Sequence, residues 1–450
     1  MISHIDCLNI VIEYLEEDKV TLHSWLLVNR LWCRISVKIL WRNIWKFKRI
    51  NFTQVIGTLI TCLPNESKDF LINNGVSLIP TSKPPLFNYA SFFKVLKISS
   101  LLISDYSLYN STKNLENHLI IQEILKMFMK QITSLKIMDL CLDPNYYNKF
   151  NCTNLINFPE AKDCLKNLSE LSCSSHFNSN FFLQLSKICY NIESLDIVVE
   201  KVISNGLKDL IFSQNNLKSL SFARYFYVDE FDSDLNDYIT TSNTLTKLDF
   251  LGISSTTFIT TKIIFPNLKI LKFTDCHLPE NGIIEFLVNN GKNLEELMLN
   301  ICNDSLNLTI AKYCSNLKSL YTQFSNHGIE ILKMVFINCQ RLEFIITHLC
   351  EGTYLGVKDL LEIVANYSPK DFHKLELHCH WDVKLGSKDL EPFFIGWKDR
   401  ISQKPFSFII NSDKNFVNNN KNRKLIRKYK NLGVIEKFEI INCHFYEIYL

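Results

Sequence analysis

Glycine and proline are scarce in this chain, at 12 and 11 of 450 residues, which excludes a collagen-like or low-complexity disordered polymer. No apolar run approaches the roughly 18 residues that a bilayer-spanning helix needs, and Met1 to Asp6 hold no basic segment leading into an uncharged apolar one. The expectation is a soluble protein of the cytoplasm or nucleus, with no membrane partner. Neither sign of charge prevails: 49 basic side chains stand against 46 acidic ones, a net of +3, so the surface as a whole has no field suited to nucleic acid. None of the 15 cysteines stands with another as Cys-x-x-Cys, which leaves zinc ribbons, RING-type fingers and thioredoxin-like pairs without local support. Also missing are G-x-G-x-x-G, a Gly-Lys-Ser/Thr loop, H-E-x-x-H and G-x-S-x-G. The chain therefore reads as non-catalytic, with no resident metal or cofactor.

What is present is apolar material, 47% of the chain with 32 Phe, over a length too great for one compact core. Self-similarity explains it. The pattern apolar-x-x-apolar-x-apolar, often led by Asn-Leu, returns at Asn216-Leu217, Leu245, Asn267-Leu268, Asn293-Leu294 and Asn316-Leu317, with weaker copies on both sides. The first apolar positions fall at 93, 132, 168, 192, 217, 245, 268, 294, 317, 342, 372, 406 and 435. From 168 to 342 they lie 23 to 28 residues apart, the spacing of leucine-rich repeats. Alternation puts Leu297 and Leu299 on one face of a short strand, with Glu296, Met298 and Asn300 on the other. Between strands the spacing turns helical, as in Ile283-Ile284-x-Phe286-Leu287 and Ile331-Leu332-x-x-Val335-Phe336. One such unit cannot bury its apolar face alone, so units stack. The expected fold is α/β: a curved solenoid over 92–450, parallel strands inside and helices outside.

Cys276, Cys302, Cys350 and Cys443 share one offset from their repeat starts, the Asn/Cys turn slot of the repeat, so they read as turn-packing residues. His373, Glu376, His378, Cys379 and His380 form the densest group of metal-ligand types, yet the repeat pattern makes them ordinary strand-face and turn residues. The basic run Lys421 to Lys430 could serve as a nuclear signal or a pocket for acidic or phosphorylated sequences, and reads first as the solvated face of a helix.

Residues 1–47 do not follow the repeat. Leu8, Ile12 and Leu15 line one helical face, Glu16-Glu17-Asp18 break it, and helical spacing resumes from Thr21 to Trp45. Ile12-Glu13-Tyr14-Leu15, Leu22, Leu27-Val28-Asn29-Arg30-Leu31-Trp32 and Leu40-Trp41 together resemble the F-box family, although its usual opening Leu-Pro is replaced by Ser3-His4. The resemblance implies that this hook docks on a Skp-type adaptor, and through it a cullin, while the repeats select an unknown protein for ubiquitination. On that reading Leu8, Ile12, Leu15, Leu22, Val28, Trp32, Leu40 and Trp41 meet the adaptor. The competing reading is a repeat scaffold whose first 47 residues cap the array, with Leu8, Ile12, Trp32 and Trp41 buried against the repeats. Residues 48–91, helical in spacing from Val55 to Leu63, join hook to solenoid or hold divergent first repeats.

Overall fold

The structure is a computed structural model and describes residues 18–47, 51–78, 85–102, 111–142, 152–200, 203–224, 243–254, 263–349, 354–379, 385–400, 404–411 and 420–441. The chain divides into two compact units, Met1–Leu217 and Lys218–Leu450.

The first unit opens with the hook, α1 (Lys19–Trp25) and α2 (Arg30–Arg42). Side-chain caps start both helices: Asp18 accepts the Thr21 amide and Asn29 the Trp32 amide, each at 3.0 Å. Leu22, Ile35, Ile39 and Leu40 form the hook's own core. Two more helices follow, α3 (Phe52–Cys62) and α4 (Asn65–Asn73), with Val55, Leu59 and Leu71 turned inward. Strands and helices then alternate: β1 (Val95–Lys97), α5 (Ile98–Leu102), α6 (Ser111–Gln131), β2 (Ile137–Asp139), α7 (Ala161–Leu165), β3 (Glu170–Ser174), α8 (Ser179–Ser186), β4 (Ser194–Val198) and α9 (Asn205–Phe212). β1 to β4 pair in parallel and in chain order, and Leu96, Met138, Leu171 and Leu195 lie side by side as one buried row.

The second unit continues the scheme with β5 (Ser219–Ala223), β6 (Lys247–Leu251), β7 (Ile270–Thr274), α10 (Glu280–Asn290), β8 (Glu296–Cys302), α11 (Asp304–Tyr313), β9 (Ser319–Gln323), α12 (Ile329–Asn338), β10 (Phe344–Leu349), α13 (Val357–Tyr367), β11 (Lys374–Cys379), α14 (Ser387–Lys398), β12 (Phe406–Asn411), α15 (Asn420–Asn431) and β13 (Ile435–Ile441). All neighbouring pairs from β5 to β13 are parallel. Inward positions stack: Phe222, Phe250 and Phe273 lie nearly flat on one another, with ring centres 5.9 and 5.2 Å apart. Helix positions Ile283, Phe286, Leu287, Leu332, Val335 and Phe336 close the other side of the core.

Every one of the thirteen repeat starts has its strand, but two registers differ from the sequence reading. Ile137 pairs with Glu170, so the second repeat starts at Leu135 instead of 132. Ile132-x-x-Leu135-x-Ile137 and Leu135-x-x-Met138-x-Leu140 both satisfy the pattern, and the second is the buried one. Likewise Leu375 pairs with Phe408, which moves the start at 406 back one residue. Phe406, Phe408, Ile409 and Ile410 are all buried, so both parities are apolar and alternation alone could not set the register.

Polar side chains tie one repeat to the next. The Asn of an Asn-Leu reaches back to the preceding repeat, in three cases to a carbonyl: Asn267 Nδ2 to Asn243 O at 2.8 Å, Asn293 to Pro266 O at 3.1 Å and Asn316 to Lys292 O at 2.8 Å, while Asn216 Nδ2 donates to the Glu193 carboxylate at 3.4 Å. Glu295 joins Lys269 and Lys318 on its two sides at 2.8 and 2.7 Å. Cys276, in the turn slot, is buried and its thiol donates to Phe250 O at 3.3 Å. A second cysteine position, unseen in the sequence reading, lies three residues before a repeat start. There Cys189 Sγ donates to Leu165 O at 3.5 Å and Cys339 Sγ to Cys314 O at 3.3 Å. Burial pushes the Cys189, Cys276 and Cys339 thiols up to about 12, which holds them protonated and unreactive. Cys302 is half-buried, while Cys350 and Cys443 lie outside the described residues.

Candidate protein-docking site

Two surfaces stand out, one in each unit. In the first, the residues expected to meet a partner separate into three sets. Leu8, Ile12 and Leu15 lie outside the described residues. Leu22 and Leu40 sit in the hook's core, with Trp32 and Trp41 packed against it; the Trp32 ring meets Trp25 edge-on at 4.4 Å. Trp41 also reaches the first repeat, 4.6 Å from the Tyr89 ring and 5.8 Å from Phe93. Trp45 strengthens that junction, donating its indole N–H to Val95 O at 3.0 Å. Arg42 O accepts the Lys94 amide at 2.9 Å. The hook is thus joined to β1 through its second half.

Its other end is bare. Val28 is 59% exposed, Leu27 89% and Leu31 39%, so the turn from α1 into α2 carries an apolar rim. Leu27 and Val28 sit in the turn itself, where the short span between two capped helices leaves no core to enter. Of the expected adaptor residues, Val28 is the one on this rim, with Leu27 and Leu31 beside it.

In the second unit the helix-free face of β8 to β11 holds an aromatic and polar cluster. Register brings Met298, Tyr321, Ile346 and Glu376 into one row and His348 beside His378 in the next. Tyr321 Oη and His348 Nε2 are 2.5 Å apart, and the His348 and His378 ring centres 4.9 Å. Asn300 Oδ1 accepts from Gln323 Nε2 at 2.6 Å, and its Nδ2 donates to Asp275 Oδ1 at 2.9 Å. Glu376 meets His378 at 3.3 Å and Lys374 at 3.3 Å. Glu376 and His378 stand where strand alternation placed them, although His378 is only 6% exposed because Tyr321 and His348 close over it.

Burial, and secondarily the neighbouring His378, pull His348 down to about 4, so it is neutral at physiological pH. Glu376 is held below its usual range by its hydrogen bond with His378, against the opposing effect of burial, with Lys374 helping. The cluster therefore presents rings, amides and the carboxylates of Asp275 and Glu376. Ion pairs flank it, Lys272 with Glu296 at 2.6 Å among them. Among the described residues no group of three or more His, Cys, Asp and Glu is arranged to hold a metal ion; His380 lies outside them. No helix among the described residues is long and apolar enough to cross a membrane.

Parallel strands alternating with helices at this repeat length define a leucine-rich-repeat solenoid of α/β type. No protein-family profile and no curated protein matches the chain. Among solved structures it is similar to the crystal structure of the leucine-rich-repeat-containing protein LegL7 from Legionella pneumophila, at 14% identity and a TM-score of 0.36, over 68% of this chain and 94% of that one.

Proposed function

We propose that the chain is a substrate-recruiting adaptor of a Skp–cullin–F-box ubiquitin ligase, whose hook docks on a Skp-type adaptor and whose strand face holds the protein to be ubiquitinated. The observation that carries this reading is the bare apolar rim of Leu27, Val28 and Leu31, on a hook whose residues resemble an F-box. Exposed clusters of large apolar side chains mark docking surfaces, and a terminal cap would turn a polar face to water. Catalysis by this chain is not needed: holding target and transfer machinery on one body raises the effective concentration of target lysines.

The test is direct titration of the full-length protein with a Skp-type adaptor, beside Leu27→Asp/Val28→Asp. Both positions are exposed, so the variant keeps its fold by circular dichroism while losing at least about tenfold in affinity, or about 1.4 kcal/mol. A folded wild-type protein that shows no adaptor binding sinks the proposal. The capping reading is favoured by one observation, the Trp41 and Trp45 contacts with Tyr89, Phe93 and Val95. Under it, neither the protein nor the rim variant binds the adaptor.

A further inference from the structure

Helix α15 reads Asn-Lys-Asn-Arg-Lys-Leu-Ile-Arg-Lys-Tyr-Lys-Asn, with six cations and no acid. The whole chain is only +3, so this one helix outweighs the total and the rest of the molecule is net negative. Folding sorts its side chains. Asn422, Leu425 and Tyr429 are buried, Tyr429 with its ring 5.1 Å from Phe394, while Lys421, Arg423, Lys424, Arg427, Lys428 and Lys430 are exposed. Lys428 meets Glu391 at 3.3 Å. Lys424, Arg427 and Lys430 take part in none of the ion pairs among the described residues. Like charges three and four residues apart repel on a helix surface, so the arrangement costs stability that interspersed acids would have relieved.

We propose that this face docks an acidic segment of a partner protein, a run of Asp and Glu side chains lying along the helix. The inference stands apart from the ligase reading and holds for a plain scaffold too. Length supports it, since twelve helical residues span about 18 Å, a match for a short peptide segment. Charge supports it against a nucleic acid, because a long polyanion leaving the helix would meet a molecule that is otherwise net negative. The helix's own aromatic residue, Tyr429, is buried and offers no stacking platform for bases. An anionic membrane is disfavoured because the apolar side of the helix is spent in the repeat core and leaves none to insert.

The experiment measures fluorescence anisotropy of a labelled oligo-glutamate peptide of about six residues, whose extended length of about 20 Å matches the helix, with the full-length protein at low and physiological salt. The expected result is binding that weakens with salt and falls at least about tenfold in Lys424→Glu/Arg427→Glu/Lys430→Glu. The control Lys162→Glu/Lys187→Glu/Lys358→Glu, which makes the same change in net charge at exposed sites elsewhere, loses far less. Circular dichroism checks that both variants stay folded. Absence of peptide binding at low salt overturns the proposal, as does an equal loss in both variants. So does tighter binding, lost in the α15 variant, to a DNA duplex or to vesicles rich in anionic phospholipid, since either would assign the face to another class of partner.

Discussion

Asparagine is the residue that most rewards attention in this fold. Asn267, Asn293 and Asn316 each bridge to the repeat before them, which is why Asn-Leu so often heads the strand motif. Replacing Asn316 by Ala should cost about 0.5–1.5 kcal/mol, visible as a lower denaturant midpoint with an unchanged slope. Cysteine acts by burial. Cys189, Cys276 and Cys339 should resist alkylation in the native protein at pH 8 and react promptly in denaturant, as peptide mass mapping would show; rapid native labelling would contradict their packing role. Trp41 serves both the hook core and the first repeat. Trp41→Ala should destabilise the first unit by about 2 kcal/mol or more, which makes it a poor probe of partner binding and Leu27 or Val28 a better one.

At the scale of elements, close approach and shared strand faces decide the outcome. Helices α8 and α9 come so near that a Cβ on Gly206 would stand 1.9 Å from Ser179 O. Backbone cannot yield as a flexible side chain would, so Gly206→Ala should cost about 1–3 kcal/mol, measured by thermal unfolding. The β9 to β11 cluster predicts a pH response. His348 titrates near 4 when folded and near 6.5 when unfolded. The unfolded chain therefore takes up its proton first as pH falls. The stability tied to neutral His348 is complete above about 6.5 and lost progressively down to about 4, up to about 3 kcal/mol. His348→Gln should flatten the stability profile across that window; an unchanged slope would show that the burial of His348 is not felt by the fold.

For the molecule as a whole, the proposed function puts adaptor docking and target capture on different units, so on that proposal they should be separable by mutation. Under that proposal, Met298→Glu/Ile346→Lys on the strand face should abolish capture of a target while leaving adaptor affinity within about twofold, since sites that share no partners act nearly additively. Leu27→Asp/Val28→Asp should do the reverse.

How much of this was legible beforehand varies with range. Thirteen strands, their parallel order and the inward face of nearly all of them followed from an apolar pattern a few residues long, since alternation and helical spacing are local properties. The register failed at 132 and 406, where apolar residues occupy both parities and the choice falls to neighbouring strands. The second cysteine position was visible as a fixed distance before the starts at 192 and 342, but its meaning, a thiol against the previous repeat's carbonyl, required the stack. Val28 was picked out with Leu22 and Leu40 as one set, yet Val28 is bare and the other two are core. Their difference depends on how α1 and α2 cross. Tyr321, His348 and His378 come from three strands and share no local pattern at all. The sequence by itself determined the repeat, its secondary structure and the helical hook, because these rest on spacing within a turn or a strand. Only the tertiary structure decided which apolar residues of the hook stay uncovered and which strand residues meet, because both depend on what distant parts of the chain bring alongside.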